Sequence, residues 1–299
     1  MTAPDWIALD WGTSNLRAWA MTASGTVLDE RGSDAGMGTL APSEFEPALM
    51  DLAADWVNGG MTAIACGMVG AKQGWAEATY SPVPAAPLGS GLTEAPTVTP
   101  GLTVLIVAGM SQASPPDVMR GEETQIAGFL ALNPGWDGVI CLPGTHTKWA
   151  EVSAGEVVSF QTVMTGDLFA AISGHTVLRH SVTGSEWDTE AFDAALSETL
   201  SRPERMAARL FGIRASGLLD GTGTGHARAT LSGLLIGAEL AATRPYWLGR
   251  EIAVIGDRTL SAHYVHALGQ QGAPATLADA GRCTLAGLTA AWREWKGTT

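Results

Sequence analysis

The chain is short of lysine, of cysteine and of long uninterrupted apolar runs, and each shortage excludes something. Lysine occurs only at Lys72, Lys148 and Lys296, and the 17 basic residues face 30 acidic ones, a formal net charge of −13 over 299 residues. A polyanion-binding face needs clustered cations, so nucleic acid is excluded as a partner. Cys66, Cys141 and Cys283 are odd in number and lack metal-ligand spacing, so they read as reduced core thiols. No uninterrupted apolar stretch reaches the roughly 18 residues of a membrane-spanning helix. Asp5 and Asp10 also interrupt any basic-then-apolar leader, so no membrane partner and a cytoplasmic location are expected. What is present is a hydrophobic content of 46%, enough for two domains with substantial cores.

The organising stretch is Trp6–Trp19, in which apolar residues run into Asp10, then a Gly12-Thr13-Ser14-Asn15 turn, then an alternating segment holding Arg17. Period-2 alternation on either side of small residues reads as strand, tight turn, strand. Successive backbone N–H groups in such a turn can cradle an anion. Asp10 at the strand end is placed to hold a hydrated Mg²⁺ on a nucleotide phosphate. An ordinary hairpin with an acidic strand end fits this segment equally well. Arg17 shares a face with Thr13, where it reaches phosphate or pairs with an acid.

The pattern returns at Asp137–Trp149: Asp5 falls on Asp137, Ile7 on Val139, Gly12 on Gly144 and Thr13 on Thr145, while Leu142 stands where Asp10 would be. Each copy continues into a second turn, Ser24-Gly25 or Ala154-Gly155, and a third strand. A repeated strand–Gly-Thr–strand unit predicts two related domains, each aiming one phosphate loop at a shared cleft, with different tasks for the two loops. The Asn133-Pro134-Gly135 break marks the start of the second meander. The expected domains are 1–120 and 121–299, with the last helix packing back on the first.

Taken together, Asp10-Trp11-Gly12-Thr13, Met68-Val69-Gly70 with Gly74-Trp75, Met119–Gln125, Pro143–Trp149 and Thr165–Phe169 resemble the 2-dehydro-3-deoxygalactonokinase family, and the match runs in order along nearly the whole chain. More broadly, the two loops resemble the sugar kinase, heat-shock ATPase and actin superfamily. The resemblance implies an α/β fold of two duplicated ribonuclease H-like domains around an interdomain cleft. It implies ATP and Mg²⁺, and phosphorylation of 2-dehydro-3-deoxy-D-galactonate at its terminal hydroxyl in D-galactonate catabolism. A kinase for another sugar acid, and a nucleotide-switched binding module, are the alternatives; a homodimer stays open.

Phosphoryl transfer needs a phosphate cradle, a metal, a cation on the moving group and a carboxylate at the acceptor hydroxyl. Asp10, Gly12 and Thr13 furnish the first cradle, Gly144, Thr145 and Lys148 the second, and His146 is a donor to substrate or phosphate. The family likeness points to Trp11 and Arg120 as substrate residues, with Met68, Gly70, Gly74 and Trp75 of a Gly67–Pro87 loop that also carries Lys72 and Glu77. A strand ending at Gly256 resembles the superfamily's adenosine-binding element. His263 and His266 lack acidic or Cys partners and read as surface residues.

For the base, Gly121-Glu122-Glu123 occupies the place of the Gly-Asp-Gln stretch of many sugar kinases. Glu122 shares a helical face with Ile126, Phe129 and Leu130, so it is expected to point inward over an apolar floor, leaving Glu123 solvated. Asp167 reads as a helix-dipole charge. Ser43 and Glu46 have capping-box spacing for a helix from about Glu44 to Val57.

Overall fold

The alternation read in the first meander sorts its side chains onto two faces of one sheet. In the computed structural model, which describes residues 3–57, 59–89 and 91–297, strands β1 (Trp6–Trp11), β2 (Leu16–Met21) and β3 (Val27–Ser33) form an antiparallel meander. Helix α1 (Phe45–Ala53) leads to β4 (Met61–Gly67), which pairs parallel to β1. Next come β5 (Tyr80–Pro82), β6 (Leu92–Ala95) and β7 (Leu102–Val107), the last parallel to β4, then the hairpin β8 (Gly109–Ala113) and β9 (Pro116–Met119) and helix α2 (Glu122–Leu132).

The second meander is β10 (Gly138–Leu142), β11 (Thr147–Ser153) and β12 (Glu156–Val163). Helices α3 (Thr165–His175), α4 (Thr189–Ser201), α5 (Met206–Leu219), α6 (Thr224–Ala242) and α7 (Arg244–Trp247) follow. Strand β13 (Ile252–Gly256), helix α8 (Arg258–Gln270), β14 (Ala275–Asp279) and α9 (Ala280–Lys296) complete the chain. Among the described residues no helix is long and apolar enough to cross a membrane.

The chain divides into two compact units, Met1–Asp137 with Val152–Ser159 and Asp279–Thr299, and Gly138–Glu151 with Phe160–Ala278. Helix α2 packs in the first unit, which therefore runs to 137 rather than 120. The large sheets are ordered β3-β2-β1-β4-β7-β6 and β12-β11-β10-β13-β14, so both place the meander beside a strand that follows helical chain. The α/β duplication is thus written in the topology. A three-stranded sheet, β5-β8-β9, has no sequence-level counterpart.

In unit 1, Ile7, Leu9 and Trp11 of β1 pack with Phe45 and Leu49 of α1 on one face of the sheet. The alternate residues Trp6 and Ala8 pack with Leu288 and Trp292 of α9 on the other, Trp6 and Trp292 stacking at 5.0 Å. Helices α2 and α9 touch backbone to backbone: a Cβ on Gly128 would lie 1.8 Å from the Cys283 carbonyl oxygen, and one on Gly287 1.9 Å from that of Thr124. The capping box expected at Ser43 and Glu46 does not form. Glu46 instead accepts from the Val98 and Thr99 N–H groups at 2.8 and 2.7 Å, and Glu44 reaches back to the Ala41 N–H at 2.6 Å. Glu46 is itself buried, at 8% exposure, and the N–H donors of the Val98-Thr99 loop outcompeted the local cap for it.

Candidate active site

The two Gly-Thr turns are braced alike. After β1, the Thr13 carbonyl accepts from the Gly38 N–H at 2.9 Å, and a Cβ on Gly36 would lie 2.3 Å from that same oxygen. After β10, the Thr145 carbonyl accepts from the Asp167 N–H at 2.9 Å, and a Cβ on Gly166 would lie 2.3 Å from the Gly144 carbonyl oxygen. In each unit a glycine lets the following chain press against the turn. Thr13 and Thr145 themselves are exposed.

Beside the first turn, Arg17 donates to Asp10 at 2.5 Å across the β1–β2 pair, so Arg17 takes the acid-pairing role of the two read for it. Asp10 retains 22% side-chain exposure and shares an open cavity with Gly12, Asn15, Arg17, Ser33 and Asp34. Burial is the main reason the neighbouring Cys66 thiol is pushed up, with the Asp10 and Glu123 charges adding to it.

The start of α2 corrects the helical-face expectation. Glu123, not Glu122, points inward: it is fully buried, its Oε2 accepting from the Gly121 N–H at 2.6 Å and its Oε1 from the Thr124 hydroxyl at 2.9 Å. Glu122 is half-buried and accepts from the Arg120 N–H at 3.0 Å. The first turn of α2 abuts the end of β4, where a Cβ on Gly121 would lie 3.2 Å from the Gly67 Cα and the Glu123 charge acts on the Cys66 thiol, while α9 covers α2 at Thr124 and Gly128.

Desolvation, followed by the Glu122 charge, pushes the Glu123 carboxyl up to about 8 from an ordinary 4.5. The unfolded chain releases this proton first, so the stability that Glu123 confers is complete below about pH 4.5 and is lost as pH rises through about 8. Thermal melts from pH 5 to 8 are expected to show the parent losing stability relative to Glu123→Gln, by up to about 1.4 kcal/mol per pH unit. Parallel profiles would exclude this account.

The Met68–Glu77 loop folds on itself, Trp75 N–H donating to the Val69 carbonyl and Ala78 N–H to that of Gly70. Trp11 and Trp75, expected at the substrate, are core residues: they are 0% and 5% exposed, pack around Phe45, and donate their Nε1–H to the Ala35 and Pro96 carbonyls. Gly70 and Gly74 are buried, Met68 is half-buried, and Lys72 and Glu77 are exposed. Arg120 lies over the Tyr80 ring at 4.3 Å and donates to the Ala78 carbonyl, while its Nε and Nη1 are buried without a hydrogen-bond partner.

In unit 2, Gly144 opens on a cavity of about 530 Å³ that is also lined by Gly166, Trp187, Arg228, Asp257, His263 and Tyr264. A Cβ on Gly144 would meet nothing within 4 Å, so the turn presents bare backbone to that space. His263 is not a free surface residue: it stacks on Trp187 at 3.9 Å. The neighbour that excludes a side chain at Gly256 is the Pro143 carbonyl of the turn, 2.8 Å from a built Cβ. His146 is exposed and pairs with Asp167 at 2.8 Å. Lys148 is 5% exposed and is not among the residues lining this cavity. Trp187 and Arg228 escaped the sequence reading because neither stands in a strand–turn motif.

A family model described as 2-keto-3-deoxy-galactonokinase matches residues 10–291. The chain is 40% identical over 301 residues to "Probable 2-dehydro-3-deoxygalactonokinase DgoK1" of Rhizobium meliloti (strain 1021), covering 98% of each chain. It is 34% identical over 276 residues to 2-dehydro-3-deoxygalactonokinase of Escherichia coli (strain K12), covering 91% of each. A Sinorhizobium meliloti crystal structure assigned to the same kinases superposes with a TM-score of 0.90 at 39% identity, over 97% of this chain and 99% of that one. The activator of the 2-hydroxyisocaproyl-CoA dehydratase from Clostridium difficile, with bound ADPNP, shares the fold at a TM-score of 0.52 and 10% identity, over 98% and 96% of the two chains.

Proposed function

Because the chain belongs to the 2-keto-3-deoxy-galactonokinase family, we propose that it transfers the γ-phosphoryl group of ATP to the terminal hydroxyl of 2-dehydro-3-deoxy-D-galactonate, giving ADP and the 6-phosphate, in cytoplasmic D-galactonate breakdown. The observation that supports this most is the pair of Gly-Thr turns, one per unit, at matching sheet positions and with matching braces.

The 530 Å³ cavity suits a nucleotide: it is mostly apolar, with Arg228 and the backbone of Gly144 converging on it. Gly144, Thr145 and Gly256 border the nucleotide, and Gly12 and Thr13 form the other cradle. Asp10 suits Mg²⁺ held through water, since a hydrated ion on a nucleotide takes one or two carboxylates rather than an all-protein cage. Asp10 has the exposure for that, and no cluster of three metal-ligating side chains occurs among the described residues. When bound, Mg²⁺ neutralises phosphate charge.

The chain's own residues do the rest. Glu122, at the start of α2, takes the proton of the acceptor hydroxyl as that oxygen bonds to the γ-phosphorus and the bond to the ADP oxygen breaks. Arg17 holds Asp10 through their ion pair at the first turn, Lys148 supplies positive charge at the second, and the His146–Asp167 pair holds a donor there. Arg120, with two buried donors unmet, and Lys72 are the cations for the acid's carboxylate. Met68, Gly70, Gly74 and Glu77 shape that loop.

An ADP-release assay across sugar acids and hexoses tests the reading. Turnover is expected with 2-dehydro-3-deoxy-D-galactonate and Mg²⁺, and none without the metal. Turnover with hexoses alone would overturn it.

A further inference from the structure

One buried carboxylate in unit 2 has no part in the transfer described above. Glu239 stands alone as a charge in the apolar run of α6 and is 2% exposed. Its Oε1 accepts from Trp149 Nε1–H at 2.8 Å, and its Oε2 accepts from the Tyr264 hydroxyl at 2.8 Å and from the Thr165 hydroxyl. Tyr264 is in turn 3.1 Å from the Thr147 hydroxyl. Every one of these partners is buried.

What the partners belong to matters more than their number. Thr147 and Trp149 lie on β11, the strand that leaves the second Gly-Thr turn. Thr165 is the first residue of α3, whose Gly166 presses on Gly144 and whose Asp167 N–H holds the Thr145 carbonyl. Tyr264 is on α8, reached through Gly256, which presses on Pro143. The three elements that abut the turn are therefore tied to a single carboxylate. Thr165 and Tyr264 also line the nucleotide cavity.

We propose that Glu239 is a positioning residue for phosphoryl transfer, clamping β11, α3 and α8 so that the Pro143–His146 turn meets the nucleotide phosphates in one geometry. The inference rests on the kinase reading given above. A charge buried this deeply is tolerable only when its lone pairs are met by donors. Here three donors converge on two oxygens, so removing the charge frees hydroxyls on two of the elements at once. Burial pushes the Glu239 carboxyl up to about 7, and its hydrogen bonds from Thr165, Trp149 and Tyr264 oppose that rise.

The test compares Glu239→Gln, Thr165→Val and Thr199→Val by thermal melting and by steady-state kinetics with the sugar acid and Mg-ATP. Thr199 is equally buried, and its hydroxyl bonds the Ala195 and Leu234 carbonyls, on α4 and α6 rather than on any of the three elements. Glu239→Gln and Thr165→Val are each expected to lower kcat by about 10²-fold, the cost of a misplacement near 1 Å. The KM for the sugar acid should stay unchanged, and the double variant should lose no more than the worse single one. Thr199→Val should lower only the melting temperature. A folded Glu239→Gln enzyme with parental kcat overturns the proposal, as does a kcat loss that Thr199→Val shares. If Glu239→Gln does not fold, a parental kcat in Thr165→Val overturns it instead. An inactive parent would sink the kinase reading itself, a result separate from any of these.

Discussion

Glu122→Gln is expected to lower kcat by roughly 10²–10⁴-fold in single-turnover assays, the range a general base contributes, while ATP titration gives an unchanged affinity. Glu122 is the carboxylate at the start of α2 that retains exposure, which the role proposed for it requires. Its neighbour Glu123 is fully enclosed, with one oxygen on the Gly121 N–H and the other on the Thr124 hydroxyl. Glu123→Gln is therefore expected to keep kcat within a few-fold and to change the pH dependence of stability. The reverse pattern, a dead Glu123→Gln and an active Glu122→Gln, would move the chemistry to the buried group.

Gly128→Ala is expected to cost about 3 kcal/mol, the upper end of overpacking penalties. That corresponds to a fall in melting temperature of roughly 6–12 °C for a domain of this size. The added methyl would lie 1.8 Å from the Cys283 carbonyl oxygen, a backbone atom that no rotamer change can move. Helix α2 must then shift off α9, and Glu122 at its first turn shifts with it, so kcat should fall as well. Gly212→Ala in α5 is the control, because a Cβ there meets nothing within 4 Å. Replacing a mid-helix glycine in open space should stabilise by about 0.5–1 kcal/mol. Calorimetry on both variants decides it; an unchanged Gly128→Ala melt would mean the α2–α9 contact is looser than described.

The parts of this molecule that were legible in its sequence are those set by near neighbours. Period-2 runs on either side of Gly12-Thr13 and Gly144-Thr145 locate both hairpins, and the offset between them exposes the duplication. Glu122 and Glu123 were assigned to the wrong faces because α2 is buried over a wide arc. Its partner, α9, lies far along the chain at Ala280–Lys296, and no local period reports it. Trp11 and Trp75 show the same limit: an aromatic in a functional motif and an aromatic in a core look alike until both are seen packed on Phe45 and on each other. Glu239 had a readable signal, a lone carboxylate inside Leu234–Ala242, since a charge in an apolar helical run must find buried donors. Its partners, on β11, α3 and α8, are set by tertiary packing alone.

Phosphorus NMR of the product tests the central claim most directly. The protein, Mg-ATP and 2-dehydro-3-deoxy-D-galactonate should yield one new phosphomonoester, equimolar with ADP. Its proton-coupled signal should be a triplet, because a terminal ester couples to the two protons of a methylene. A doublet would place the phosphoryl group on a secondary carbon, and inorganic phosphate alone would mean hydrolysis; either result contradicts transfer to the terminal hydroxyl.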